Sequence, residues 1–224
     1  MASETKRMTK EELREDEFVD WLVSAVDYIR DHRNPFIVCV VIVVGGIVGL
    51  RTFIDSQEQN KRDAAALFGD VLIAEQGGQN VEAAEKAKHL VKNYAGSPAA
   101  GKAIIFLANL RYAEGSYEEA EGLYRSYLES AADEKNEILN HAAEMGLIAC
   151  SEVNGNSEQV AAAYEGIGLK YTGQSLGALS LMSAVRCYKQ LGDIGRAKTI
   201  LEKLKNEYPN LPIAQQARAM LEML

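Results

Sequence analysis

The sequence predicts an all-α protein, with a single transmembrane helix followed by an α-solenoid of about four helix pairs. Three observations carry this expectation. Residues 34–50 (NPFIVCVVIVVGGIVGL) hold no ionisable side chain except Cys39. Beyond them alanine is abundant and β-branched runs are scarce, and short glycine-bearing turns at 113–116, 154–157 and 191–193 separate helical patches. Finally, the segment 90–99 (LVKNYAGSPA) reappears at 204–214 (LKNEYPNLPIA), each copy with a Tyr four residues before a Pro.

The head, residues 1–34, reads as a helix of its own. Thr9 and Glu12 form a capping box, and Phe18, Leu22, Ala25, Val26 and Ile29 follow at helical spacing until Asn34 and Pro35 break the run. The opposite side is acidic, with Glu11, Glu12, Glu15, Asp16, Asp20 and Asp27. That sign is wrong for attraction to an anionic leaflet and suits a protein partner. The competing reading is a helix lying passively at the interface, with Trp21 and Tyr28 at headgroup level.

The span is placed at residues 35–54. Fifteen residues from 36 to 50 make a helix of roughly 22 Å, short of a hydrocarbon core of about 30 Å. Continuing to Ile54 closes most of the gap, and Arg51 reaches the headgroups on its long stem. Val and Ile crowd residues 37–44 without a polar face, which a core helix would keep. Nine acids precede the run and no small-residue cleavage pattern follows it, so an anchor is expected rather than a cleaved signal. Six Lys and Arg lie on the head side, and only Arg51, Lys61 and Arg62 lie just beyond the span. That bias predicts a cytoplasmic head and an exported tail. Gly45 and Gly49 form a small-xxx-small pair through which two such helices could approach as a homodimer.

The tail, residues 55–224, is long enough for one sizeable domain. Residues 51–224 hold eighteen Lys or Arg against twenty-three Asp or Glu, with no basic stripe, which argues against nucleic acid as a partner. Tyr171 begins a third copy of the Tyr-containing segment. Its distance to Tyr208 is 37 residues, and Tyr94 lies 77 residues ahead of it, close to two such intervals. A period of this size marks stacked helix pairs.

The chain here resembles the tetratricopeptide repeat family. The best copy spans 101–134, with Leu107 and Ala108 in the first helix, Gly115 and Tyr117 at the turn, and Ala120, Tyr124 and Leu128 in the second. A second copy near 178–209 carries Leu181, Tyr188, Gly192, Ala197, Leu201, Leu204 and Pro209. Poorer copies surround Gly78, Ala83, Ala87 and Leu90, and Leu147, Gly155 and Tyr164. The resemblance implies small residues where two helices cross and large ones where the next repeat packs, so these positions are expected to be structural.

No catalytic residue, cofactor-binding site or metal site can be assembled from the sequence, and the protein is expected not to be an enzyme. His32, His89 and His141 lack metal-ligand spacing, and there is no phosphate loop or nucleophile elbow. Glu118, Glu119 and Glu121 fall at the start of a second helix, where acids favour the macrodipole, and read as a solvated face. Cys150 and Cys187 each stand five residues before a turn glycine. Equivalent positions on neighbouring helices point the same way, so two buried thiols are expected rather than a disulfide.

Stacked repeats leave a concave face of first-helix side chains suited to a peptide or a partner helix. With Gly115 and Gly192 taken as equivalent, Asn109, Tyr112, Arg186 and Lys189 are expected to line it. Gly146 stands where the family's carboxylate clamp would want an Asn.

The acidic head helix (REDEFVDWLVSAVDYIRDHRNPF), the glycine-bearing span ending GGIVGLRTF and the alanine-rich repeats together resemble the ancillary subunit family of the SecYEG translocon. That resemblance implies a membrane-anchored adaptor for protein export. Its partners would be translocon subunits, emerging secretory polypeptides or periplasmic chaperones. The alternative is a scaffold subunit of a cell-envelope or division complex.

Overall fold

The computed structural model describes residues 19–24, 28, 33–130, 136–153, 155 and 157–224, without the side chains at 33–36, 39 and 40. The head's capping box at Thr9 and Glu12, its positions Phe18, Ala25, Val26 and Ile29, His32 and the side chain of Cys39 lie outside these residues. Among the described residues every element is an α-helix, in chain order α1 (Arg33–Gln76), α2 (Asn80–Asn93), α3 (Pro98–Ala113), α4 (Tyr117–Glu129), α5 (Glu137–Val153), α6 (Ser157–Lys170), α7 (Ser175–Gln190), α8 (Ile194–Glu207) and α9 (Pro212–Glu222). The chain divides into two compact units, Met1–Glu58 and Gln59–Leu224.

In the first unit, α1 carries its apolar run without burying it. Ile37, Val38, Val41, Ile42, Val43, Val44, Ile47, Val48, Leu50, Phe53 and Ile54 are each 50–66% exposed. Among the described residues, no helix is long and apolar enough to cross a membrane. The expected span over 35–54 is only partly described: the uninterrupted stretch 41–50 ahead of Arg51 amounts to about 15 Å of helix, half a hydrocarbon core.

The second unit is a stack of helix pairs, and glycine punctuates it. Gly78, Gly115, Gly155 and Gly192 each take positive φ between the two helices of a pair, at intervals of 37, 40 and 37 residues. A β-carbon is disfavoured in that left-handed conformation, which is why the repeat reads so clearly as glycine. The latter part of α1 pairs with α2, then α3 with α4, α5 with α6 and α7 with α8. Four pairs were expected. The unit also holds α9, which packs on α8 as a terminal helix of the kind that closes a solenoid.

Side-chain size follows the expected logic. Ala64, Val71 and Ala74 meet Ala83, Ala84, Ala87 and Leu90 in one core cluster. Tyr124 with Ala120, Ala143 and Cys150 belongs to a second, and Tyr164, Leu181, Tyr188, Leu201 and Leu204 to a third. Tyr94 and Tyr208 stand at the C-caps of α2 and α8, and Tyr171 follows α6 directly. The recurring Tyr thus marks the end of a second helix, and the Tyr208 hydroxyl accepts a hydrogen bond from the Gly173 backbone N–H at 3.1 Å. One register expectation is corrected. Leu128 is 38% exposed and Tyr127 is 1% exposed, because Ala120, Tyr124 and Tyr127 fall at helical spacing on one side of α4 and the next residue is turned about 100° away.

Candidate functional site: the first-helix face

The first helices approach one another, α3 with α5 and α5 with α7. The side they share is therefore the inner face of the stack. It is also where the expected partner-binding residues fall, Asn109 and Tyr112 on α3 and Arg186 and Lys189 on α7.

The structure brings two of these four into one neighbourhood through a residue that sequence reasoning missed. Glu152, near the C-terminus of α5, accepts two hydrogen bonds from Arg186, from Nη1 at 2.6 Å and Nη2 at 2.8 Å. It also receives the Tyr164 hydroxyl at 3.3 Å. The guanidinium fork matches the carboxylate plane, a geometry stronger than a single-point contact. Donation from Arg186 holds the Glu152 carboxyl below its ordinary pKa against the opposing effect of burial. Tyr112 is raised, first by burial and then by the Glu152 charge, which places its hydroxyl in the same field. Its ring meets Tyr117 edge-on, with centroids 5.2 Å apart. The missed signal was positional: Glu152 stands three residues before Gly155, as Tyr112 does before Gly115 and Lys189 before Gly192.

Asn109 is exposed on α3, but its Oδ1 already accepts the Tyr124 hydroxyl at 2.5 Å. Burial pushes that phenol up to about 12, so it stays a donor at neutral pH. Lys189 is half-buried one turn beyond Arg186 on the same face of α7. The face therefore offers an aromatic pair, a paired carboxylate and guanidinium, and an ammonium across three parallel positions.

Gly146 has a steric reason. A β-carbon there would sit 2.3 Å from Cζ of the Tyr124 ring, so α5 can seat that ring only with glycine. A clamp-type Asn is excluded by the packing itself. Gly45 and Gly49, in the first unit, are different: a β-carbon at either meets nothing within 4 Å.

Cys150 and Cys187 are both buried free thiols, as expected, and burial raises both. Glu118 and Glu119 are exposed, and Glu119 pairs with Arg111 at 3.1 Å. The pair His141 and Ser180, with Nε2 and Oγ 2.7 Å apart, has the spacing of a base and a nucleophile. Ser180 is fully buried and its hydroxyl also lies 3.1 Å from the Leu176 carbonyl, so no substrate can reach it. Among the described residues, no group of three or more His, Cys, Asp or Glu could hold a metal ion.

An all-helical stack with an open inner face, built from pairs of 37 to 40 residues, defines a helical-repeat interaction protein. Residues 27–160 match the tetratricopeptide repeat-like domain, more than half of the chain, and the protein belongs to that family. The match includes Asn109, Tyr112 and Glu152 and ends before Arg186 and Lys189. No curated protein matches the chain.

Proposed function

We propose that this protein is a membrane-anchored adaptor for protein export. In this reading α1 holds it in the inner membrane through residues 35–54, with the N-terminus cytoplasmic and the repeats periplasmic. The first-helix face contacts translocon subunits, emerging secretory polypeptides or periplasmic chaperones. The observation that carries the anchor is the run of apolar side chains on α1 that remain half or more exposed, a surface that water covers only at high cost and lipid covers readily. The observation that carries the adaptor is the groove, which combines aromatic and charged side chains with no arrangement for turnover. The overall resemblance of head, span and repeats to the ancillary translocon subunits supplies the export partner.

A photo-crosslinking residue at Tyr112 or Lys189, activated in intact membranes and followed by mass spectrometry, tests this. Translocon subunits together with several exported polypeptides support the reading. One stoichiometric envelope partner without the translocon replaces it with the scaffold reading, which the open faces of Gly45 and Gly49 favour by permitting a dimeric anchor. Adducts to lipid alone eliminate both. A reporter fused after Leu224 checks the sidedness independently.

A further inference from the structure

The helices α5 and α7 are tied at two places. One tie is the Glu152–Arg186 pair on the groove face. The other is buried: His141 on α5 is 6% exposed and reaches Ser180 on α7, while its ring stands edge-on to Tyr171 with centroids 5.2 Å apart at 88°. Ser180 Oγ also lies 3.3 Å from the Met145 sulfur. These partners are all neutral.

We propose that His141 makes the junction between the third and fourth helix pairs an acid-sensitive latch, closed while the imidazole is neutral and loosened when it is protonated. A charged ring enclosed here needs water or a free counter-ion. On α5 itself, Glu144 lies one turn away: its Oε1 is held by Lys170 from the end of α6, its Oε2 is buried with no hydrogen-bond partner, and its pull toward the charged ring is outweighed by burial. Lys170 also lies over the Tyr171 ring at 5.3 Å. Glu137 stands one turn before His141 on the same side of α5 and acts on Tyr171 as well. Residues 175–185 of α7 carry no ionisable side chain. On α3 and α4, Tyr112 and Glu121 approach α5 near Glu152 and Cys150, more than two turns from His141.

The sign follows from burial. Desolvation lowers the His141 pKa below its ordinary 6.5, outweighing the Leu176 carbonyl and Glu144, which favour the charged ring. The unfolded or opened chain then binds the proton more readily than the closed one. Closed-state stability is complete above the unfolded value and declines as pH falls below about 6.5 toward the folded value. The carboxylates lose their charge only at lower pH. Because the latch joins the same helices as the Glu152–Arg186 pair, loosening it disturbs the groove whatever partner that groove takes.

The buried thiols of Cys150 on α5 and Cys187 on α7 report the opening directly. The experiment uses the full chain in detergent micelles with Cys39→Ser, and a dipyridyl disulfide whose labelling rate is normalised to a free cysteine peptide. At pH 7.5 both thiols are expected to label only slowly. At pH 5.5, about one unit below the unfolded value, the normalised rate is expected to rise severalfold, to at most about tenfold, and to stay within about twofold when His141→Gln keeps a neutral hydrogen-bonding side chain. An equal rise in both proteins, or no rise in either, overturns the proposal. Should His141→Gln label fast at both pH values because it does not fold, NMR titration of the His141 imidazole in the unsubstituted chain decides. A midpoint below 6.5 upholds the latch, and one at or above 6.5 rejects it.

Discussion

The first helix pair and the last reach the same stacked arrangement with opposite side-chain strategies. The first interleaves small residues, Ala64 and Ala74 against Ala83, Ala84 and Ala87, with Val71 and Leu90 as the larger members. The last seats Leu181, Tyr188, Ile200, Leu201 and Tyr208 together with Tyr164 of the pair before it, and glycine lets those two pairs approach closely. A β-carbon on Gly168 would lie 2.6 Å from the Leu181 side chain, and one on Gly177 would lie 2.3 Å from the Tyr171 carbonyl oxygen. Alanine against alanine leaves a helix free to shift by a few tenths of an ångström. A large side chain pressed against a glycine leaves no such freedom, because dense interiors transmit strain.

The sharpest way to break the comparison is Gly177→Ala. The obstacle is backbone of the turn after α6, which cannot rotate away as a side chain can. The expected loss is about 3 kcal/mol or more, the upper part of the overpacking range, read from the denaturant midpoint. Gly122→Ala on α4 is the control: a β-carbon there meets nothing within 4 Å, and the better helix propensity of alanine is expected to add about 0.5–1 kcal/mol. Equal effects at the two sites would remove the steric argument.

Leu201→Ala, at a fully buried position of the last pair, is expected to cost about 2–5 kcal/mol through lost burial and the cavity left behind. Ala87→Gly, its counterpart in the first pair nine residues after the turn glycine, is expected to cost nearer about 1 kcal/mol, mostly helix propensity. Equilibrium urea unfolding of both variants measures the ratio, and parity between them would show that core strategy does not matter.

Gly146→Ala should fall between these. Its obstacle is the Tyr124 ring, which can swing at the expense of its hydrogen bond to Asn109, for an expected loss of about 1–3 kcal/mol. Tyr124→Phe in the same background separates the two contributions: if the ring has already left Asn109, removing its hydroxyl costs little more.

The smallest effect is expected at the groove. Arg186→Ala removes a half-exposed bidentate pair, and such pairs contribute about 1 kcal/mol or less. Its pH dependence has a defined sign. The Glu152 carboxyl is held low in the folded chain, so its contribution is present above about pH 4.5 and is lost as pH falls through the lowered folded value. The stability difference between the parent and Arg186→Ala should therefore shrink between about pH 5 and 3. A difference that stays constant across that window would mean the ion pair does not stabilise the junction.

Several elements were legible from residues alone, and for a common reason. Positive φ demands glycine, so the pair turns at Gly78, Gly115, Gly155 and Gly192 appear as a period. The Tyr that closes α2, α6 and α8 repeats for the same positional reason, and the buried thiols follow from their place before the turn. Local conformation is written in local sequence. The register of α4 was less legible because Tyr127 and Leu128 are both apolar neighbours, and only contact with the next helix chooses between them. Glu152 escaped notice because a glutamate near a helix end is ordinarily solvated, and nothing local announces that Arg186, 34 residues on, will meet it.

The sequence by itself determined the helical class, the pairing period, the turn glycines and the charge-free character of residues 34–50, all properties of neighbours along the chain. Only the tertiary structure decided that Gly146 and Gly177 are steric necessities, that Glu152 joins the groove, and that His141 is a buried neutral ring held by Ser180. Each depends on which side chains meet across tens of residues, where a difference of one helical position turns a contact by about 100° and replaces it with solvent.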